Sequence, residues 1–421
     1  MRDLGLLLSL LSLAGIAIWR PWLGVLGLAF FGFLQPHTYT NDPMADFPVY
    51  KTLFAATAIG ALLTKDRWLP PADWRVFALL VLGIWFVVST SFAGLPFLAW
   101  PKLLQVGMVI ASSFLILVLI NTREKLFWLI AAMALSFALV AVKGGYWTIV
   151  HGFTDRVYGP PGSQYADNNH FAVAAVMTIP LLVLWFTQCT SWWLRGALLL
   201  AISLTAFSAI SSWSRGGMLA LTAMVLAMFV GKVSRKGALA VIPLLGALVA
   251  AAALMPDTWL ERMETIGTYQ SDQSVQGRFF AWDRGTSSAL ASPWVGAGFE
   301  GWVVIARGRD WHSAYVEIMA EHGMVAFVLW VALLWGTILA SMWLAWRYRG
   351  PGERAWVSHY SSAIMASLVG YGVGSAFLGI AYWDYLYHLI AASILVRALA
   401  EAGHLTGAAI DQAAKRPASP A

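Results

Sequence analysis

Residues 193–231 read WLRGALLLAISLTAFSAISSWSRGGMLALTAMVLAMFVG. Two apolar runs, 193–212 and 218–231, are parted by a short break that holds Ser214-Arg215-Gly216-Gly217. A membrane-crossing helix needs about 20 apolar residues, so the stretch predicts two consecutive spans joined by a break with one cation. A cation at a membrane boundary is costly unless it has a partner or a task. Two glycines beside it allow a ligand to approach the backbone closely. Arg215 with Gly216 and Gly217 is therefore a candidate anion site, against the plainer reading of an arginine that snorkels at a helix end.

The rest of the chain has the same character. Hydrophobic residues make up 59% of 421 positions and charged residues 11%, with a mean hydropathy of +0.69. A soluble domain cannot hide that much apolar surface, whereas an all-α polytopic membrane protein need not. The 23 tryptophans suit the belts where indole sits between lipid and water. The net charge of +6 is mostly in short loops and marks topology, so no nucleic-acid partner is inferred. Cys189 is the single cysteine, which excludes an intramolecular disulfide.

Further apolar runs lie near 49–64, 75–93, 99–121, 126–149, 171–187, 237–255, 312–346, 357–378 and 383–400. Residues 4–35 form one more, broken at Arg20-Pro21. Basic clusters occur at every second gap: Lys65 to Arg67 with Arg75, Arg123 with Lys125, Lys232 to Lys236, and Arg347 to Arg354. The positive-inside rule places all four in the cytoplasm. One broken crossing for 4–35 gives about twelve spans and two cytoplasmic termini, and two crossings give thirteen; we take the former. A cleaved signal peptide fits less well, because the run continues past residue 20 with no clear cleavage site.

This parity divides the chain into an N-terminal bundle of about nine spans (1–255), an outer loop (256–311), C-terminal spans (312–403) and a disordered cytoplasmic tail (404–421). The outer side receives 36–48, 94–98, 150–170, the break at 213–217, and 256–311. The last predicts an amphipathic helix over Thr258 to Ile266, a second helix from about Ser274 to Leu290, and a Gly296-Ala297-Gly298 turn. Such helices would lie at the membrane surface and roof a cavity.

Chemistry-bearing residues gather on that side. Arg278 and Arg215 offer planar charged forks suited to a phosphate, although Arg278 could instead pair with Asp283 or Asp272. His312 can be neutral near pH 7 and accept a proton; its plainer reading is an interfacial histidine opening a span. Asp167, Asn168 and Asn169 form an N-cap or a ligand contact, and Arg156 and His151 are loop residues of either kind. His322, ten residues into the span, points to packing. The loop 256–311 holds five arginines (262, 278, 284, 307 and 309) against seven acids, so an anion site there must be local. Without paired carboxylates on the outer side, neither a metal nor a cofactor is indicated.

In order along the chain, five stretches resemble the O-antigen ligase family, often called WaaL, and the related O-antigen polymerases and protein O-oligosaccharyltransferases. They are Gly159-Pro160 leading to Asp167-Asn168-Asn169-His170-Phe171-Ala172; Ser214-Arg215-Gly216-Gly217; Gly277-Arg278 with Trp282; Gly296-Ala297-Gly298-Phe299; and His312 with Glu321 and Gly323. The family usually has Asp-Pro-Asn where this chain has Asp167-Asn168-Asn169, and His-Asn where it has His312-Ser313, so no role is carried to 168 or 313. The region around Pro36-His37 resembles the subgroup of O-glycosylation ligases associated with exosortase systems.

The resemblance implies a GT-C-type, inverting, metal-independent glycosyltransferase of the bacterial inner membrane, working at the periplasmic face. Its donor would be an undecaprenyl-diphosphate-linked O-antigen and its acceptor the lipid A–core saccharide. The runner-up acceptors are the growing glycan and a protein hydroxyl. A flippase is disfavoured, since transporters are typically built from internal repeats around a midplane site and none is visible. Arg215, Arg278 and His312 are the expected catalytic set, with His312 as base or as phosphate ligand. Gly216, Gly217, Arg156, Asp167, Asn169, Trp282 and Glu321 are the expected contacts to diphosphate or glycan.

Overall fold

The computed structural model describes residues 2–40, 47–231, 235–264 and 273–414. Among these it is helical throughout, with no strand. The helices are α1 (Arg2–Trp19), α2 (Pro21–Leu34), α3 (Val49–Leu63), α4 (Trp74–Ser91), α5 (Pro96–Leu119), α6 (Arg123–Val150), α7 (Asn168–Gln188) and α8 (Trp192–Ile210). They continue as α9 (Arg215–Val230), α10 (Arg235–Leu254), α11 (Asp257–Glu264), α12 (Gln273–Ala291), α13 (Trp302–Ile305), α14 (Ala314–Arg347), α15 (Ala355–Gly374) and α16 (Asp384–Ala414). Seven of the described helices are long and apolar enough to cross a membrane: α4, α5, α6, α7, α8, α14 and α16. Shorter apolar helices include α1, α2, α3 and α9. The chain is an integral membrane protein, and leucines and phenylalanines such as Leu62, Phe77, Leu104, Leu226 and Leu339 cover its outside. That surface would be untenable in water and suits lipid.

Sequence chemistry sets the helix starts. Asp73, Thr122, Asp167, Ser214 and Ser313 are N-caps whose side chains accept from backbone N–H groups of the first turn. Pro21 and Pro96 stand in the first turns of α2 and α5, where a missing N–H costs nothing. α7 is the hub, buried over 83% of its span, with α6, α8, α9 and α15 around it.

The stretch 4–35 departs from the single broken crossing expected. α1 and α2 fold back on each other: a Cβ at Gly27 would lie 2.5 Å from Leu13, and one at Gly24 2.7 Å from Ala17. Arg20, with φ −133 and ψ 75, ends α1, and Pro21 starts a new helix. A proline ring cannot continue the hydrogen-bond ladder of the preceding turn, so the break becomes a hairpin.

The two ends of the bundle sort as the parity of basic loops requires. At one end Lys125 pairs with Asp66 at 2.8 Å, Arg123 donates to Gln188 at 3.2 Å, and Arg349 donates to the Val230 carbonyl at 2.8 Å. Of the third basic cluster, 232–234 lie outside the described residues. At the other end Gly94 N–H reaches the Ala297 carbonyl, Val157 N–H the Ser211 carbonyl, and Arg262 Nε the Trp213 carbonyl. In the loop 256–311, α11 and α12 stand where helices were expected; Ile266 and Asp272 lie outside the described residues. Likewise α16 runs on to Ala414, into the stretch read as a tail, and 415–421 lie outside.

Candidate functional site

Three helices, α7, α9 and α14, begin at the end of the bundle opposite the basic loops, and their caps aim backbone N–H groups there. Before α9, Trp213 takes the left-handed φ of 58 and Ser214 Oγ accepts from Gly217 N–H at 3.0 Å, so Arg215 is the first helical residue. Gly217 makes this possible: a Cβ would come 2.6 Å from that of Ala172 in α7. Asn168 Nδ2 donates to the Ser212 carbonyl at 2.7 Å, tying the two starts together. Arg215 thus stands beside the first turn of α7, which carries Asp167 and His170.

Asp167 accepts from Asn169 N–H at 2.8 Å and faces His170 Nδ1 at 3.2 Å. Burial opposes its ionisation, but the hydrogen bonds from His170 and Asn169 prevail and hold the carboxyl well below its usual range.

His312 precedes α14 in a left-handed conformation, φ 47, and 42% of its side chain is exposed. Ser313 caps α14, so the histidine sits outside the helix and not at the start of the long span expected from residue 312. His312 and Arg278 line one cavity of about 1100 Å³ together with Arg307, Arg309 and Asp310. Asp310 Oδ2 lies 3.9 Å from His312 Nδ1. Burial lowers the imidazole pKa below its ordinary value; Asp310 works against this, Arg278 and His170 add to it, and Asp167 opposes. The ring is therefore neutral and able to accept a proton at neutral pH.

The loop between α15 and α16 joins Arg215 to this group. A Cβ at Gly216 would lie 3.4 Å from Phe377, and one at Gly379 would lie 2.9 Å from Asp310 Oδ1. The loop therefore packs against the first turn of α9 and against the neighbour of His312.

Behind His312 the support is dry. Trp311 is fully buried and donates Nε1 to Glu321 at 3.0 Å, and Tyr382 donates to the other oxygen of Glu321 at 2.7 Å. Trp282 donates Nε1 to the Trp311 carbonyl at 2.9 Å, tying α12, and with it Arg278, to the same post. Just beyond, α14 is broken at Gly323, with φ 74 and ψ −175. The Gly296–Gly298 turn fills the break: Ala297 N–H bonds the Ala320 carbonyl at 3.0 Å and Gly298 N–H that of Glu321 at 2.8 Å. His322 is fully buried against Ser89 and Phe86, in a packing position.

Of the residues expected from sequence, Arg278 and His312 share a cavity, and Arg215, Gly216, Gly217, Asp167 and Asn169 cluster at the adjoining helix starts. Arg156 lies over the ring of Trp213, which precedes the cap of α9, at 5.1 Å. Glu321 is 2% exposed with both oxygens engaged, and the Trp282 indole N–H is likewise engaged. In the sequence Arg307, Arg309 and Asp310 stood only as loop charges and His170 only within a motif, without a role at the site. Their signal was proximity: Arg307-Gly308-Arg309-Asp310 runs directly into His312.

The comparison with known families bears on this end of the molecule. Residues 198–331 match the O-antigen ligase family model. The matched region holds Arg215, Arg278, His312 and Glu321, in agreement with the resemblance drawn from the motifs, and it supports an O-antigen-related function. Residues 1–191 match a family of unknown function, DUF5935. The first match ends between α7 and α8 and the second begins inside α8, so His170 falls in the first and His312 in the second. No curated protein matches the chain.

Proposed function

We propose that the chain is an inverting, metal-independent glycosyltransferase of the bacterial inner membrane that moves an O-antigen from undecaprenyl diphosphate to the lipid A–core saccharide at the periplasmic face. The observation that carries this reading is a neutral, partly exposed histidine in one cavity with three arginines, at the bundle end opposite the basic loops. In the reaction the acceptor oxygen bonds to the anomeric carbon as the carbon–oxygen bond to the diphosphate breaks. The electron pair leaves with the diphosphate, and the acceptor proton passes to His312. Its Nδ1 edge faces Asp310, which leaves Nε2 to take that proton.

Negative charge grows on the bridging phosphate oxygen, and Arg278 with Arg215 stabilises it. Preorganised charge in a partly dry site is worth more than in water. A general base of this kind contributes about 10²–10⁴-fold. The apolar flanks of the helices leave the carrier's polyprenyl chain in lipid.

Reconstitution tests the reading. Protein in liposomes with undecaprenyl-diphosphate O-antigen and rough lipopolysaccharide should yield capped lipopolysaccharide, with and without EDTA. In a deletion strain, polymer should persist on its carrier lipid while capped product disappears. Loss of polymer length instead would indicate a polymerase, and strong EDTA inhibition would refute the metal-free reading.

A further inference from the structure

His170, whose charge bears on His312, lines a second cavity of about 510 Å³, within the usual size of small-ligand pockets. Tyr50, Gln105, Gln164, His170, Trp383 and Asp384 are among the residues that line it. It is a built site. Asp384 is 6% exposed and opens α16; Gly32 of α2 makes room for it, since a Cβ there would meet Asp384 Oδ2 at 2.5 Å and the Tyr50 ring at 3.3 Å. Gln164 is fixed by its own N–H to Gln35 Oε1 at 3.0 Å and by its side chain to the Tyr165 hydroxyl at 2.8 Å. Trp383 is wedged between Tyr165 and His170, with ring centroids 5.0 and 5.9 Å away. His37 also lines the cavity, and its Nδ1 is buried without a hydrogen-bond partner among the described residues.

The charges here differ from those around His312. Lys51 and Lys102 line it with Glu317 and Asp384, basic and acidic side chains in equal number, and Lys102 pairs with Glu300 at 3.3 Å. The described lining of the first cavity carries Arg278, Arg307 and Arg309 with one acid, Asp310. An anion belongs with the arginines. Amides, a carboxylate and flat aromatic rings around a balanced cavity suit a neutral polyhydroxyl ligand, because they pair with hydroxyls and cover the apolar face of a sugar ring.

We propose that this second cavity is the acceptor subsite and that it reads neutral sugar rings, not phosphate. The inference rests on the transfer reading above. An inverting displacement brings the acceptor to the face of the sugar opposite the leaving group, and the two cavities adjoin where Gly379 of the second packs against Asp310 of the first. Most of the lining, from Phe31 to His170, comes from the region that matches the family of unknown function. That region thereby gains a role in choosing the acceptor.

The test uses the full chain in nanodiscs, undecaprenyl-diphosphate O-antigen as donor, and core oligosaccharide cut from lipid A, either native or dephosphorylated. In Gln105→Leu and Gly32→Ala, the KM for core oligosaccharide should rise about tenfold while the donor KM and the slow hydrolysis of donor by water stay unchanged. Gln105 is exposed, so its variant carries no folding burden, and unchanged donor hydrolysis certifies both proteins. Dephosphorylated core should serve as well as native core. Unchanged acceptor KM in both variants, a donor KM that rises instead, or poor use of dephosphorylated core overturns the subsite. If the unaltered protein transfers to neither acceptor, the transfer reading itself fails and takes this one with it. Normal transfer with indifferent variants removes only the subsite.

Discussion

At His312 burial competes with neighbours of both signs. Burial lowers its pKa, Asp310 raises it, Arg278 and His170 lower it, and Asp167 raises it, with a net downward shift. Since the neutral ring is the working form, activity should fall as pH drops through that lowered value and stay flat above it. The acid limb of kcat should therefore lie below about pH 6.5, the unperturbed histidine value. Asp310→Asn should move the limb further down, because it removes a group that favours the charged ring. A limb above that value in the unaltered protein would sink the base assignment. Arg278→Lys should lower kcat/KM about 10²-fold, since an ammonium does not reproduce the guanidinium fork; near-normal turnover in that variant would remove Arg278 from the diphosphate site. Arg215, Arg278 and His312 were legible because polar residues are rare in so apolar a chain. Arg309, Asp310 and His170 were not, since counting loop charges averages over a loop that folding concentrates at one point.

Among the elements, α14 shows how a span is interrupted without loss of its hydrogen bonds. Gly323 frees the carbonyls of Ala320 and Glu321, and the Gly296–Gly298 turn takes them. A Cβ at Gly323 would strike the Trp294 carbonyl, and its φ of 74 suits glycine. Gly323→Ala should cost roughly 1–3 kcal/mol, read as a lower midpoint of thermal unfolding in detergent, and should slow transfer by disturbing Trp311 and His312. An unchanged midpoint would mean that the break is not held by this packing. Apolar run length placed the span, and the glycines marked a special backbone. That the two glycine motifs plug into each other is a long-range contact no local pattern carries. Arg20-Pro21 is similar: the break was visible, but its hairpin geometry depends on Leu13 meeting Gly27 and Ala17 meeting Gly24.

For the whole molecule, orientation is the property to measure. Asp155 and Lys65 are exposed at opposite ends of the bundle, and Cys189 is the only native cysteine. In a Cys189→Ser background, Asp155→Cys should react with a membrane-impermeant maleimide in intact spheroplasts, and Lys65→Cys only after permeabilisation. The reverse pattern would turn the cavities to the cytoplasm and end the periplasmic reading. The sequence by itself determined the class, most helix positions, the sorting of loops to two ends, and the rarest candidate residues. Each of these follows from local composition, because lipid demands long apolar helices with internally satisfied backbones. Only the tertiary structure decided that α1 and α2 form a hairpin, that Arg307, Arg309 and Asp310 join Arg278 at His312, and that Gly379 of the second cavity packs against Asp310 of the first. Those facts depend on which side chains meet across distant segments, and packing between helices sets them where hydropathy is blind.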